Sequence, residues 1–154
     1  MTQAAETPHQ AMAVQASPRN NGGSAVRRDM DLVRTILLRV EDAHEPLDLA
    51  DLVEKDASEE DEQVVAHHVS LLVEQAGFMK GIDVSSHDGD NWIDLSLTWA
   101  GHEFLDNVRD PDVWRQTKVG AKKAGGFSLQ ILAKIAEAVV MDRVNKLIAG
   151  GLDG

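Results

Sequence analysis

Residues 58–97 read SEEDEQVVAHHVSLLVEQAGFMKGIDVSSHDGDNWIDLSL. Two hydrophobic periods meet inside this stretch, and their order decides the fold. The first half has the helical period: Val65, Val69, Leu72 and Ala76 fall on one stripe. Ser58 suits the N-cap, Asp61 stands three residues on, and Gly77 is a natural C-terminal stop. The second half has strand character. FMKGIDVSS (78–86) and NWIDLSL (91–97) read as two strands joined by HDGD (87–90), with Asp-Gly at the centre of the turn. A helix followed directly by a hairpin is therefore expected here.

Two more helices precede it. In RRDMDLVRTILLRVED (27–42), Met30, Val33, Ile36, Leu37 and Val40 recur at helical spacing, and Asp29 and Asp31 sit at the start, where the helix dipole favours anions. Pro46 ends that segment. LDLADLVEKD (47–56) reads as a short helix with Asp48 as its cap and Leu49, Leu52 and Val53 inward. Downstream of the hairpin, Thr98 caps AGHEFLDNV, Asp110-Pro111 opens a further helix, and Gly125-Gly126 breaks it. FSLQILAKIAEAVVMDRVNKLIAGG (127–151) is a last, strongly apolar helix. The expected fold is α+β and mainly helical: a winged helix-turn-helix, with three helices and a two-stranded wing, followed by C-terminal helices. The expected organisation is a disordered N-terminal extension (1–26), a winged-helix-like domain (27–110), a connecting helix (111–124) and an oligomerising apolar helix (125–154).

Composition narrows the function. The chain has 154 residues, enough for one small domain with appendages, and 43% of them are apolar. It has no Cys, which excludes disulfides and thiolate chemistry and fits a cytoplasmic location. No apolar run approaches the roughly 20 residues of a membrane span. The net charge of −11 is unevenly spread. Residues 27–110 hold 21 acidic and 7 basic residues, whereas residues 111–154 hold 4 acidic and 7 basic ones. Such a charge disfavours gross attraction to DNA or anionic lipid.

Three blocks resemble the bacterial and phage family catalogued as domain of unknown function 2513. They are RRDMDLVRTILL (27–38), HHVSLLVEQAGFM (67–79) and WIDLSLTWAGHEFLDNVRDPDVW (92–114). The resemblance covers about residues 27–140 and implies a winged-helix-like fold and a prophage or phage setting. It implies no activity. Its members open with Met, a basic residue and Arg-Asp-Met-Asp-Leu, so Val26 stands where they have their first Met. Residues 1–25 are accordingly read as untranslated or as a dispensable arm, since their Ala, Gln, Ser, Pro, Asn and Gly bury too little to offset ordering entropy.

Few residues suggest chemistry. His102-Glu103 lacks the second His four residues on that a zinc protease helix needs, because Asp106 stands there. The pair is read as a helix start in which Thr98 caps and Gly101 permits close packing. His67 and His68 point about 100° apart and do not face one ion. His68 falls beside the apolar stripe as a core-edge histidine, whereas His67 points outward with Gln63, Ser70 and Glu74. Those four form the candidate recognition face of the third helix. The run Glu59-Glu60-Asp61-Glu62 is read as complementing the helix dipole.

For DNA, the fold and the charge pull in opposite directions. Phosphate contacts normally supply most of the affinity, through Lys and Arg. Between Lys55 and Lys80 there is neither, and the turn at 87–90 offers His87, Asp88 and Asp90. Cations sit elsewhere: Arg27, Arg28, Arg34 and Arg39 near the first helix, and Lys118, Lys122 and Lys123 near the tail. Trp92 and Trp99 are expected to pack rather than stack on bases, and Trp114, beside Arg115 and Lys118, is expected to pack as well. In the last helix, Leu129, Leu132, Ile135 and Val139 make one apolar face, widened by Ile131, Ala133, Val140 and Val144, as for a helix between its own domain and another chain.

The sequence therefore points to a non-enzymatic winged-helix protein without a cofactor or metal. One reading is a DNA-associated transcriptional regulator of prophage type. The alternative is an acidic protein-interaction module that uses the fold without DNA. The expected partners are a second copy of the chain together with protein or DNA. No membrane and no small-molecule substrate is implied.

Overall fold

The computed structural model describes residues 26–126 and 128–151. Among these, the chain forms α1 (Met30–Asp42), α2 (Leu49–Leu52), α3 (Glu59–Ser70), β1 (Met79–Asp83), β2 (Trp92–Leu97), α4 (Trp99–Val108), α5 (Pro111–Ala124) and α6 (Leu129–Ala149). The fold is α+β and mainly helical, with one two-stranded antiparallel sheet. All of the N-terminal extension expected over 1–26, except Val26, lies outside the described residues.

Local chemistry sets most boundaries. Asp29 Oδ1 accepts from the backbone N–H groups of Asp31 and Leu32, at 3.0 and 3.1 Å. Ser58 Oγ accepts from Asp61 N–H, and Asp110 Oδ1 from Asp112 and Val113 N–H. Each satisfies a donor that the first helical turn would leave orphaned. Asp51 reaches back to the Asp48 N–H at 2.9 Å, closing the start of α2. Gly125 ends α5 at φ +93°, a conformation that a Cβ penalises.

The stretch 58–97 forms the expected helix and hairpin, with two departures. First, α3 loosens after Ser70 into a π-helical turn, Leu71–Gln75, before Gly77 (φ +71°) releases the chain into β1. Side-chain period alone does not distinguish i→i+4 from i→i+5 bonding. Second, the hairpin closes on Ser86 and Gly89, which exchange backbone hydrogen bonds of 3.1 and 3.0 Å. Its central residues are therefore His87 and Asp88, not Asp88 and Gly89. The register pairs Met79 with Leu97, Lys80 with Ser96, Ile82 with Ile93 and Asp83 with Trp92, with an irregularity at Gly81. Opposite that irregularity, Asp94 takes φ +55°. Leu47, between α1 and α2, exchanges hydrogen bonds of 3.1 and 2.7 Å with Leu95 of β2, which ties the α1–α2 connection to the sheet.

One core joins every element. Leu37, Val69, Leu72, Leu95, Leu105, Val108, Leu132 and Ala136 have no exposed surface. Each such aliphatic side chain larger than Ala contributes about 1.5–3 kcal/mol by leaving water. α5 and α6 form a helical hairpin in which the two helices approach closely. A Cβ on Gly120 would lie 2.9 Å from Ile135 Cγ2. At the sheet, α4 packs with Gly101 against the main chain: a Cβ there would lie 2.1 Å from the Phe78 carbonyl oxygen. No helix among the described residues is long and apolar enough to cross a membrane.

Candidate interaction surface

α3 and the π-helical turn that follows it divide into two sides. Inward, Ala66, His68, Val69 and Leu72 are buried. Outward, Glu59, Glu60, Asp61, Glu62, Gln63 and Glu74 are exposed, and His67 is half-buried. Ser70 belongs only partly to that outer face. It is half-buried, its Oγ accepts from Trp92 Nε1 at 2.9 Å, and it donates to Asp90 Oδ2 at 3.3 Å. These two bonds fasten the hairpin to α3, so both present one continuous surface. Its hairpin part carries Asp83, His87, Asp88 and Asp90, all exposed. Bonds from Ser85 hold the Asp83 carboxyl below its ordinary range, so it stays charged.

His68 is more deeply placed than a core-edge residue. It has no exposed surface, Nε2 accepts from Asp29 N–H at 2.8 Å, and Nδ1 donates to Val64 O at 2.8 Å. The acceptor role at Nε2 requires the neutral ring. Burial, with a smaller contribution from His67, pushes its pKa down. The adjacent histidines therefore separate, one into the α1–α3 joint and one to the surface.

Many of the other titratable groups are occupied structurally. Arg109 donates to both carboxylate oxygens of Glu41 and to Asp106 Oδ1. That pairing holds Glu41 below the usual carboxylate range against the opposing effect of burial, and His102 Nδ1 stands 3.5 Å from the same carboxylate. Asp106 thus serves Arg109, and His102 faces Glu41. Arg34 donates to the carbonyls of Val108 and Arg109 at 2.8 and 2.7 Å, closing the end of α4. Arg39 does the same for Asp51 and Leu52. Lys118 pairs with Asp31 at 2.9 Å, Arg115 with Asp112, and Arg143 with Asp110 and Asp112. Among the described residues, no three His, Asp or Glu side chains are grouped to hold a metal ion.

The three Trp diverge. Trp92 is buried at the α3–hairpin joint. Trp114 is also buried, donates from Nε1 to Asp31 Oδ1 at 2.8 Å, and lies under the Arg34 and Lys118 cations at 5.9 and 5.7 Å. Burial would raise the Asp31 pKa, but bonds from Lys118 and Trp114 outweigh it and lower it. Trp99 does not pack as expected: it is 80% exposed. The sequence held the signal. On a helical wheel, Gly101, Phe104, Leu105 and Val108 define the inner side of α4, and Trp99 lies opposite them.

Nor is the expected oligomerisation face of α6 wholly free. Leu132 is fully buried within the chain, and Leu129, Ile135 and Val139 are half-buried. The exposed apolar residues lie further on: Met141, Val144, Leu147 and Ile148.

Comparison with known proteins fixes the family. The family described as Hypothetical protein (DUF2513) matches residues 27–128. The chain belongs to this family. An uncharacterised protein of Haemophilus influenzae is 34% identical over 116 residues, covering 75% of this chain and 96% of that relative. No solved structure matches. The family match spans α1 to α5, so both the outer α3–hairpin surface and Trp99 belong to the shared region, while α6 follows it.

Proposed function

We propose that this DUF2513 protein is a non-enzymatic interaction module. In this reading it uses a winged-helix arrangement to bind a basic protein segment rather than duplex DNA. The order α1–α2–α3–hairpin, with Leu47 adding a bridge to the hairpin, supports the winged-helix assignment. α3 then occupies the place of a recognition helix and the β1–β2 turn that of the wing. The observation that carries the functional choice is the charge of this surface. Gln63, His67 and Glu74 stand beside the acidic first turn of α3 and the acidic wing turn, and Lys80 is the sole cation between Lys55 and Arg109. A duplex docking there would meet repulsion, whereas a cationic polypeptide would meet complementary charge.

A regulator that touches DNA is the second reading, favoured by exposed cations away from α3. Arg27, Arg28, Lys122 and Lys123 are exposed and make no ion pair among the described residues. A pulldown from native lysate, with and without nuclease, separates the two. The interaction-module reading expects nuclease-resistant partners and only weak, salt-sensitive duplex binding. A tight, sequence-selective DNA complex abolished by Gln63→Ala or His67→Ala overturns it. Self-association through α6 is part of the proposal, supported by the exposed Met141, Val144, Leu147 and Ile148. Light scattering of the full chain should then show an oligomer that Leu147→Asp/Ile148→Asp converts to monomer.

A further inference from the structure

The outer face of α4 is one the fold itself does not need. Trp99, Glu103 and Asp106 share it, at spacings that bring them to one side of the helix. Asp106 is held by Arg109. Trp99 is 80% exposed, and Glu103 is exposed and makes no ion pair among the described residues. The backbone that carries the indole is nevertheless fixed from below. Thr98 Oγ1 accepts from Gly101 N–H at 3.1 Å and donates to Gly77 O at 2.6 Å, while Thr98 N–H donates to Phe78 O at 3.0 Å. Gly101 sits against the same Phe78 carbonyl. A large aromatic side chain left in water on a rigid helix start is what a binding anchor requires: substantial contact area and little backbone to order on binding.

The geometry points to Trp99 and Glu103 as a receptor for a cationic side chain, Arg or Lys, on a basic segment of a protein partner. The indole face attracts a cation through its quadrupole, and the Glu103 carboxylate one turn along supplies the counter-charge. Charge complementarity selects this occupant. Residues 27–110 carry 21 acidic against 7 basic residues, so an acidic or anionic partner is repelled by the part of the chain that bears Trp99 and Glu103. The inference rests on the interaction-module reading and adds its anchor.

An oligo-arginine peptide, titrated into the full-length chain, tests it. Of the three indole N–H resonances, that of Trp99 should shift on binding, while those of buried Trp92 and Trp114 should not. Trp99→Ala and Glu103→Gln should each weaken binding about fivefold, with an unchanged melting temperature. Trp99→Leu, which keeps apolar area but not the π face, should bind as weakly as Trp99→Ala. Binding that ignores all three substitutions but weakens in Glu60→Gln/Glu62→Gln overturns the anchor and leaves the interaction-module reading standing. Full binding by Trp99→Leu, or equal binding of oligo-glutamate, overturns cation recognition. No oligo-arginine binding by the unaltered chain overturns both the anchor and the reading beneath it.

Discussion

The α3–hairpin end and the α5–α6 end are built with the same device and finished differently. Each hides a Trp whose indole N–H ties two elements: Trp92 to Ser70 at one end, Trp114 to Asp31 at the other. At the α5–α6 end most carboxylates have cations, as Asp31 has Lys118 and Asp110 and Asp112 have Arg143. At the α3–hairpin end Glu59, Glu60, Asp61, Glu62, Asp88 and Asp90 make no ion pair among the described residues. Exposed ion pairs are each worth about 0–1 kcal/mol, so the difference has little to do with stability. It leaves much of the negative charge paired at one end and unpaired at the other, which is the difference that the proposed cationic partner would use.

The largest effect should come from the joint that links α3, β1 and α4. Gly101→Ala forces a Cβ into the Phe78 carbonyl, against main chain that cannot rotate away. It should cost about 3 kcal/mol or more, seen as a lower urea midpoint. A wild-type midpoint would show that the joint is loose and that the two ends are less firmly coupled than drawn here.

His68→Gln should cost about 1–3 kcal/mol near neutral pH, because the Asp29 N–H and the Val64 carbonyl are left poorly matched. The pH dependence has a definite sign. Burial lowers the folded-state pKa, so the unfolded chain binds more protons below the ordinary value of about 6.5. Stability should therefore fall as pH drops below that value, by up to about 1.4 kcal/mol per pH unit from this residue. The slope should flatten in His68→Gln. An unchanged slope would mean that another group governs it.

Asp94→Gly should act in the opposite direction. A glycine accepts φ +55° without the Cβ penalty, and a gain of about 0.5–1 kcal/mol in thermal stability is expected. A loss instead would show that the Asp94 side chain does something for the hairpin beyond occupying its bulge.

The smallest effect sharpens the comparison directly. Arg143→Ala should lower stability by no more than about 1 kcal/mol, and the deficit should shrink in high salt, because the pairs it removes are half-exposed. Glu60→Gln/Glu62→Gln should leave stability unchanged or slightly raised. A large loss there would make the acidic first turn structural after all.

By itself the sequence determined the element order, the caps and the buried stripes. Asp29, Ser58, Thr98 and Asp110 act on donors two or three residues away, and Met30, Val33, Ile36, Leu37 and Val40 need only the helical period to share a face. It also held the exposure of Trp99, through the wheel of α4, although a large apolar residue is ordinarily expected to pack. Only the tertiary structure decided which polar groups have partners. Ser70 is drawn from its outer face by Trp92, 22 residues away, Asp31 by Trp114, 83 away, and His68 by Asp29, 39 away. The division of α6 into a buried half and an exposed apolar half arises in the same way, because Leu132 and Ala136 meet the core and Leu147 and Ile148 extend past it. Caps and periodicity are short-range and survive in the linear order of residues. Hydrogen-bond partners and burial across long separations exist only once the chain has closed on itself.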